Sequence, residues 1–230
     1  MTTIALMQPT YLPWCGYLNI IDQADQFVLY DTAQFSHQTW QQRNQIRGQD
    51  GNLIWLTIPT KSPSFQPLNE TLIAGDNWRP KHWRTIRNAY SHAPYWPNLE
   101  HLLEPIYSQT WQHLADLNTT LIRLLARHLG ISTQITLAST MPPTRTGRIE
   151  QLEDIITHTQ ATHFLEPTGG TYLQPRTHIG QAEIIWHNYT PVEYTQGNQP
   201  WLPYLSIIDL IAWHGNDALN VIRQGYRSHK

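Results

Sequence analysis

Short apolar runs alternate with amphipathic segments along most of the 230 residues. Residues 4–7 form an apolar run that ends at Gln8-Pro9, which predicts a buried strand. Residues 16–24 carry apolar side chains at helical spacing, and residues 26–30 form a second apolar run. A strand, a helix and a strand within about 30 residues predict a βαβ unit with two parallel strands.

The later segments continue this alternation of elements. We predict strands at residues 53–58, 134–138, 162–165 and 182–186, and helices at 78–90, 98–129, 148–158 and from Ser206 onward. Pro105 predicts a kink in the long helix, and Gly130 predicts its end. Ser206 followed by Asp209 resembles a capping box. Residues 59–77 are rich in Pro, Ser and Thr, which predicts a loop or irregular insertion.

This order of elements predicts an α/β fold whose mostly parallel, twisted sheet is covered on both faces. Its opening is Rossmann-like or nucleotidyltransferase-like. The helical stretch from about 78 to 130 is too long for a simple crossover between strands. We therefore expect it to be an inserted or packed helical layer.

Composition narrows the choice of compartment and partner. Charged residues make up 14% of the chain, and the formal net charge is -2, so the basic excess of a typical nucleic-acid binder is missing. The single cysteine, Cys15, excludes an internal disulfide, and no apolar run is long enough for a membrane span. We expect a cytoplasmic protein that binds a small-molecule or nucleotide-activated substrate and neither nucleic acid nor membrane. Cofactors and oligomeric state stay open.

The turn after the first strand, QPTYLPWCGY at residues 8–17, is the first candidate site. In open α/β sheets, ligands bind beyond the carboxyl ends of the strands. Gly16 permits close approach of a ligand at the helix start. Gln8 can contact that ligand, and Tyr11, Trp14 and Tyr17 can stack on a base or a sugar face. The alternative is that these aromatic rings belong to the core and that the prolines stiffen the turn.

The end of the second strand supplies the second group of candidates. Asp31 comes directly after this strand, where an acid often contacts a ribose or holds a metal. Arg43 is suited to bind phosphate or carboxylate. The alternative is an acid that caps a turn and an arginine on the surface. The polar and aromatic residues near this strand end that we predict to contact substrate are Gln34, Trp40 and Asn44.

Three later segments carry further candidates for anion binding. Lys81 lies at the start of the helix at 78–90, and Arg148 opens the helix at 148–158. Gly169, Gly170 and Tyr172 lie in a loop after a strand, where successive backbone N–H groups can face an anion. Lys81 on a solvated helix face and Arg148 capping its own turn are the alternatives. The chain has neither a P-loop nor a G-x-G-x-x-G motif, so a nicotinamide dinucleotide site is not expected.

The histidines and Cys15 do not form a recognisable reactive motif. No two of the 12 histidines are three or four residues apart, and neither H-E-x-x-H nor C-x-x-C occurs. We therefore predict no metal site. Cys15 lies near a helix start, where a thiol pKa can fall, but we interpret it as a small buried apolar residue.

Taken together, the motifs resemble those of the WbqC-like protein family. The matching segments are QPTYLPWCGY (8–17), DTAQF (31–35), WQQRNQI (40–46), WLTIP (55–59), NAYSHAPYW (88–96), DLN (116–118), RIEQLEDI (148–155), GGTYL (169–173) and LSIIDL (205–210). The first of these is the most specific. The resemblance implies a single α/β domain over residues 1–230, with a helical subregion at about 78–130. In this chain Cys15 replaces an apolar residue of the family pattern, and Glu166-Pro167-Thr168 precedes the glycine pair.

The resemblance also implies a biosynthetic enzyme, a transferase or ligase of surface-polysaccharide or specialised-metabolite synthesis. Its substrate would be an activated sugar or an acyl or aminoacyl intermediate. We assign catalytic roles to Asp31, Arg43 and Tyr17. This hypothesis predicts that the candidates of the two strand ends face one pocket. These are Gln8, Tyr11, Trp14, Tyr17, Asp31, Arg43 and Asn44.

Two alternatives belong to other classes of protein. The first is a non-catalytic glycan-binding or scaffold protein, which predicts a shallow groove without a convergent acid, base and cation. The second is a nucleotide-binding enzyme similar in architecture to nucleotidylyltransferases and pantoate–amine ligases. Those enzymes carry H-x-G-H at the helix start, where this chain has Trp14-Cys15-Gly16-Tyr17 and therefore lacks both histidines.

Overall fold

The computed structural model describes residues 1–61 and 65–226, so residues 62–64 of the predicted loop at 59–77 lie outside the described residues. The strands are β1 Thr3–Met7, β2 Gln26–Leu29, β3 Arg43–Arg47, β4 Leu53–Thr57, β5 Gln134–Leu137, β6 His163–Pro167, β7 His178–Ile179 and β8 Ala182–His187. The α-helices are α1 Cys15–Gln23, α2 Trp78–Tyr90, α3 Trp96–Ser108, α4 Leu114–His128, α5 Arg148–Thr159, α6 Ile207–His214 and α7 Ala218–Gln224.

The main sheet has the strand order β5-β2-β1-β6-β8-β7. β1 pairs in parallel with both β2 and β6, β2 pairs in parallel with β5, and β6 pairs in parallel with β8. The short edge strand β7 runs antiparallel to β8. The predicted α/β fold with a mostly parallel sheet is therefore confirmed.

Both faces of this sheet are covered, because successive side chains of a strand point to opposite faces. Ala5 of β1 and Phe27 of β2 belong to a large core that also contains residues of α1, α3, α4 and α6. Their neighbours Ile4 and Val28 belong to a smaller core, in which α5 contributes residues such as Ile155. The α5 helix and the larger helical layer thus lie on opposite faces.

The strand predicted at 53–58 forms as β4, but it lies outside the main sheet. It pairs antiparallel with β3, a strand that we did not predict, in a separate two-stranded sheet. The sequence of β3, RNQIR, has one apolar residue and therefore lacks the usual strand signal. Asn44 and Ile46 are nevertheless buried, so tertiary packing rather than local hydrophobicity places this strand.

The long helix predicted at 98–129 is divided into α3 and α4, and the division does not fall at Pro105, where a kink is predicted. Pro105 lies inside α3, and the helix ends at Ser108. The Trp111 indole N–H then donates to the Ile106 carbonyl oxygen at 2.8 Å. The Leu114 N–H donates to the Thr71 carbonyl oxygen at 2.9 Å. Pairing with this distant segment replaces helical bonds, so the chain separates between the two helices.

The predicted end of α4 and start of α6 are confirmed, but one detail of the predicted cap is wrong. Gly130 follows α4 with φ of +78°, as expected at a helix end. The Ser206 hydroxyl accepts from the Ile208 N–H at 3.4 Å and caps α6. The capping-box interpretation of Asp209 is wrong, because its carboxylate accepts hydrogen bonds from Tyr90 and Tyr194 instead.

Candidate functional site

The turn at residues 8–17 lies largely in the core. The Tyr11 N–H donates to the Trp40 carbonyl oxygen at 3.0 Å. The side-chain amide of Asn44 donates to the Leu12 carbonyl oxygen at 2.5 Å and to that of Tyr11 at 3.4 Å. These bonds satisfy backbone groups that burial removes from water. The structure therefore places Asn44 beneath the turn, where it holds the backbone.

The two tyrosine rings of the turn are buried and bonded to protein groups. The Tyr11 hydroxyl lies 2.7 Å from the Tyr107 hydroxyl and 3.0 Å from Nδ1 of His82. The Tyr17 hydroxyl donates to the Gln8 carbonyl oxygen at 2.9 Å. Neither ring presents a face to a cavity in this arrangement.

Trp14 covers the start of α1. A methyl group added at Gly16 would come within 2.4 Å of the Trp14 indole. The same indole contacts the rings of Tyr189 and Tyr204, with centroids 5.5 and 5.3 Å away. The space beside Trp14 and Cys15 is about 10 Å³, which is too small for a nucleotide. Cys15 is buried, so its interpretation as a buried residue is confirmed. Burial raises the pKa of its thiol to about 12.

The charged candidates Asp31, Arg43 and Lys81 lie at three separate places. The buried Asp31 carboxylate accepts from the Ser139 N–H at 2.9 Å and from its hydroxyl at 2.5 Å. The Arg43 guanidinium lies 4.3 Å above the centroid of the Trp55 ring. Lys81 is exposed beside a cavity of about 300 Å³. None of the three faces the largest of the described cavities.

That largest cavity is a cleft of about 760 Å³ at the carboxyl ends of β1, β2 and β6. In an open parallel sheet this is the edge at which ligands bind, and the volume suits a small organic molecule. The side chains that line the cleft include Gln8, Tyr30, Trp40, Arg148, Glu166 and Tyr172.

Strand periodicity explains why residues of three strands meet in the cleft. Ile4, Val28 and Phe164 point to the sheet face that α5 covers. Side chains an even number of positions further along each strand point the same way. These side chains are Gln8, Tyr30 and Glu166. The N-terminal turn of α5 meets them there and contributes Arg148.

Glu166 is the most unusual group in the cleft. It is only 6% exposed, it bonds with the Tyr172 hydroxyl, and it lies close to the Arg148 cation. The Arg148 guanidinium lies 3.3 Å from the centroid of the Tyr172 ring. Burial raises the pKa of Glu166 to about 7, although Arg148 and Tyr172 act in the opposite direction. A carboxyl group that titrates near neutral pH is suited to general acid–base catalysis.

Gly170 makes room for this carboxyl group. A methyl group there would come within 2.1 Å of Oε1 of Glu166, whereas one at Gly169 would meet nothing within 4 Å. Gly170, and not Gly169, therefore allows the loop after β6 to pass close to Glu166.

Neutral polar side chains that bond to one another form another part of the cleft wall. The Gln41 side-chain amide donates to Oε1 of Gln8 at 2.7 Å and to the Gln34 carbonyl oxygen at 3.1 Å. The Tyr30 hydroxyl donates to Oε1 of Gln151. These neutral groups can bind the hydroxyl and amide groups of a ligand.

Two exposed tryptophans lie side by side, and one of them lines the cleft. Trp40 is 48% exposed and lines the cleft, and Trp55 beside it is 43% exposed. Their ring centroids are 5.8 Å apart. Exposed indole faces of this kind can stack on a sugar or a base.

The structure brings together only some of the residues that we predicted as a site. The candidates that line the cleft are Gln8, Gln34, Trp40, Arg148 and Tyr172. The expectation that seven residues of the first two strand ends face one pocket is not met, because Gln8 alone of the seven lines the cleft. Tyr11 and Tyr17 lie in the core, and Trp14 lies at the start of α1. Asn44 lies beneath the turn, Arg43 lies beside Trp55, and Asp31 is bonded to Ser139.

The cleft residues that sequence reasoning missed include Tyr30, Gln41, Gln151 and Glu166. A signal for Glu166 was present, since it is an acid at the carboxyl end of a strand, and the same rule led us to Asp31. Gln41 and Gln151 carry no local signal. Their position depends on contacts with distant segments.

Residues 1–61 and 65–226 contain neither a cluster of metal ligands nor a helix that could cross a membrane. In this part of the chain, no group of three or more His, Cys, Asp or Glu side chains is arranged to hold a metal ion. No helix among these residues combines the length and the apolar character that a membrane crossing requires.

The fold and the cleft define the class: an α/β protein with a ligand-sized cleft at the carboxyl edge of a mostly parallel sheet. A family model then identifies the group within that class. The model of the WbqC-like protein family matches residues 8–221, and the chain belongs to this family. The matched range includes the cleft residues from Gln8 to Tyr172.

A relative in Mycobacterium tuberculosis, named as uncharacterized protein Rv1507c, is 32% identical to this chain. The alignment covers 97% of this chain and 98% of the relative. No solved structure matches the chain.

Proposed function

We propose that this protein is a biosynthetic group-transfer enzyme, a transferase or ligase, that works in the cleft at the carboxyl edge of the sheet. The observation that carries the proposal is Glu166, a buried carboxyl whose pKa is raised to about 7 beside Arg148 and Tyr172. A carboxyl in a cleft whose pKa lies near the working pH is typical of general acids and bases.

The proposed substrate is a small molecule activated by an anionic leaving group, such as a nucleotide sugar or an acyl or aminoacyl phosphate. Arg148 and the first N–H groups of α5 favour a negative charge at this place. The Trp40 face accepts a flat or sugar-like part of the ligand, and the amides of Gln8 and Gln41 bind its polar groups.

Glu166 takes one proton in the proposed reaction. The hydroxyl or amine of the acceptor attacks the activated carbon of the donor and forms the new C–O or C–N bond. Its proton passes to the Glu166 carboxylate, while the bond between that carbon and the leaving oxygen breaks. The leaving group departs with its electron pair as an anion beside Arg148. Products of this type fit the surface-polysaccharide or specialised-metabolite role that the sequence resemblance implies.

A non-catalytic glycan-binding function is the second candidate, because the exposed pair Trp40 and Trp55 offers a stacking surface. The two candidates make different predictions for Glu166. A binding protein retains its function when this carboxyl is replaced, whereas the enzyme does not. Equal affinity for a free sugar and its nucleotide derivative would favour the binding protein.

The nucleotide site of the H-x-G-H type receives no support at the predicted place. The Trp14 indole fills the space over Gly16 that a phosphate would need. A nucleotide-activated donor in the cleft remains part of the first proposal.

The test starts with a thermal-shift screen of nucleotide sugars, free sugars, acyl and aminoacyl phosphates, and ATP or CTP with Mg²⁺. We expect an activated donor to stabilise the wild type and to lose at least tenfold in affinity with Arg148→Ala. The control Lys81→Ala removes a cation outside the cleft and should bind normally.

Turnover is then measured by mass spectrometry of the products with hydroxyl and amine acceptors. Glu166→Gln should bind the donor within about threefold of the wild type and lose at least about 100-fold in kcat, the range of a general base. The control Glu104→Gln alters an exposed helix carboxylate and should leave kcat unchanged. Full activity of Glu166→Gln would contradict the proposed catalytic role.

A further inference from the structure

A second cavity of about 400 Å³ lies between the end of β3, the end of α2, the first turn of α6 and residues 196–199. It shares no lining residue with the cleft. Its volume lies in the range of small-molecule sites. Two charged side chains of opposite sign, Arg47 and Asp209, form part of its wall.

Asp209 is held rigidly in this wall. The residue is 1% exposed, and its two carboxylate oxygens accept from the hydroxyls of Tyr90 and Tyr194, each at 3.0 Å. The Gln196 side chain also hydrogen-bonds to this carboxylate. Because each carboxylate oxygen has two acceptor sites, capacity remains for one further donor. Burial raises the pKa of Asp209 to about 6, which still leaves the group mainly ionised above neutral pH.

Arg47 is also buried, at 8% exposure, and it is only partly satisfied. Its Nη1 donates to Oε1 of Gln196 at 3.3 Å and to the Pro200 carbonyl oxygen. Its Nε is buried and has no hydrogen-bond partner. A buried charged donor without a partner costs free energy. None of the ion pairs among the described residues joins Arg47 to Asp209, although the Arg47 cation lies close enough to lower the pKa of Asp209.

Part of this arrangement has a structural purpose. The Gln196 side chain accepts from the Leu202 N–H at 2.8 Å and donates to its carbonyl oxygen at 2.9 Å. Together with the Arg47 bond to Gln196, these contacts hold the segment at 196–202 in place. These contacts give Nη1 of Arg47 its hydrogen-bond partners, but its Nε still has none.

We propose that this cavity is a binding site for a free amino acid, with the α-carboxylate on Arg47 and the α-ammonium on Asp209. A carboxylate matches the planar donor face of arginine and supplies the acceptor that Nε lacks. An ammonium group supplies a donor for the open acceptor site of Asp209.

A zwitterion suits this cavity better than an ion of one sign. Arg47 and Asp209 already have opposite charges, so a zwitterion adds no net charge to a buried site. A simple anion or cation would add a buried charge without a counterion, which is costly. The amide side chains of Gln49, Asn198 and Gln199 also line the cavity, and they favour an amino acid with a polar side chain. The inference does not depend on the function proposed for the cleft.

The experiment is isothermal calorimetry on the full chain with each of the 20 L-amino acids. For the tightest binder, its methyl ester removes the carboxylate charge and its N-acetyl form removes the ammonium charge. We expect the free amino acid to bind, and each modified form to bind at least tenfold more weakly.

Variants then locate the bound amino acid. Asp209→Asn keeps the side-chain size and should weaken binding at least tenfold. Asn198→Trp, at an exposed position of the cavity wall, should block entry without disturbing the core. The control Arg123→Gln removes a surface arginine elsewhere and should bind like the wild type, as should Glu166→Gln in the cleft.

Three results would overturn the proposal. The first is that no amino acid binds the wild type. The second is that binding survives in both Asp209→Asn and Asn198→Trp. The third is that Glu166→Gln abolishes binding, which would place the amino acid in the cleft. Because the Glu166 and Asn198 variants address different cavities, failure of one proposal is distinguishable from failure of the other.

Discussion

Opposing influences act on the pKa of Glu166. The Arg148 cation and the Tyr172 hydroxyl lower it, but the loss of water around the buried carboxyl raises it more. The net effect is a raised pKa of Glu166. Solvent screens the partly exposed Arg148 cation, whereas burial acts on the carboxylate directly.

This balance predicts how stability depends on pH. The pKa of Glu166 is about 7 in the folded protein and 4.5 as the ordinary value. The folded state therefore binds the proton more tightly, and this contribution to stability is present at low pH and is lost as pH rises from about 4.5 to 7. Its upper limit is about 3 kcal/mol, from about 1.4 kcal/mol for each pKa unit.

Urea unfolding of the wild type and Glu166→Gln at pH 4.5 to 8 measures this contribution. The free energy of unfolding of the wild type, relative to the variant, should fall with rising pH and level off above 7. A difference that is constant across this range would show that the carboxyl has an ordinary pKa.

Asn44 gives a second prediction for a single residue. Asn44→Ala removes the donor for the Leu12 carbonyl oxygen and for that of Tyr11, both of which lie in the buried turn. We expect a loss of about 2 kcal/mol in the free energy of unfolding, the cost of unpaired buried polar groups. Thermal or urea unfolding measures the loss. The control Gln45→Ala, on the opposite face of β3, should change stability by less than about 0.5 kcal/mol.

Among the helices and strands, local signals predicted the regular elements well and the irregular ones poorly. β1, β2, β5, β6 and β8 are apolar runs, and all of them form near the predicted positions. β3 has one apolar residue, so periodicity could not predict it. The break between α3 and α4 depends on bonds to residues 71–73, which lie some 40 positions earlier in the chain.

The end of α4 provides a test of backbone conformation alone. Gly130 and Gly169 both have open space around the position of a Cβ atom, but only Gly130 has a positive φ, of +78°. Gly130→Ala should therefore destabilise the protein by about 1 kcal/mol, from the left-handed conformation. Gly169→Ala is the matched control and should be nearly neutral. Equal losses in both variants, measured by urea unfolding, would contradict this explanation.

In the molecule as a whole, the sheet separates two cores, and the two proposed sites lie in cavities of different character. The cleft lies at the carboxyl edge of the sheet and is lined by residues such as Glu166. The second cavity lies at β3 and α6 and contains Asp209. Because their linings share no residue, we expect the two sites to be energetically independent.

This independence predicts additive effects on stability. The changes in the free energy of unfolding for Glu166→Gln and Asp209→Asn should sum to that of the double variant within about 0.5 kcal/mol. Urea unfolding of the four proteins at one pH provides the measurement. A larger deviation would reveal coupling between the cavities.

The sequence by itself determined the class of fold and the edge of the sheet at which to look for a site. Hydrophobic periodicity is a local property, so it predicts strands and helices and, from their order, a parallel sheet. The strand-end rule then indicated the loops that carry Gln8, Arg148 and Tyr172. Glu166 lies at the carboxyl end of β6 and therefore satisfies the same rule, but it was not among the predicted site residues.

Only the tertiary structure decided which of these candidates face a cavity. Asp31 is turned toward Ser139, which lies 108 positions away in sequence. Arg47 and Asp209 are 162 positions apart and meet at one cavity. Burial and pairing depend on such distant neighbours, and they also set the charge state of groups such as Glu166. A single sequence contains no signal of these contacts, because the residues that make them carry no shared local pattern.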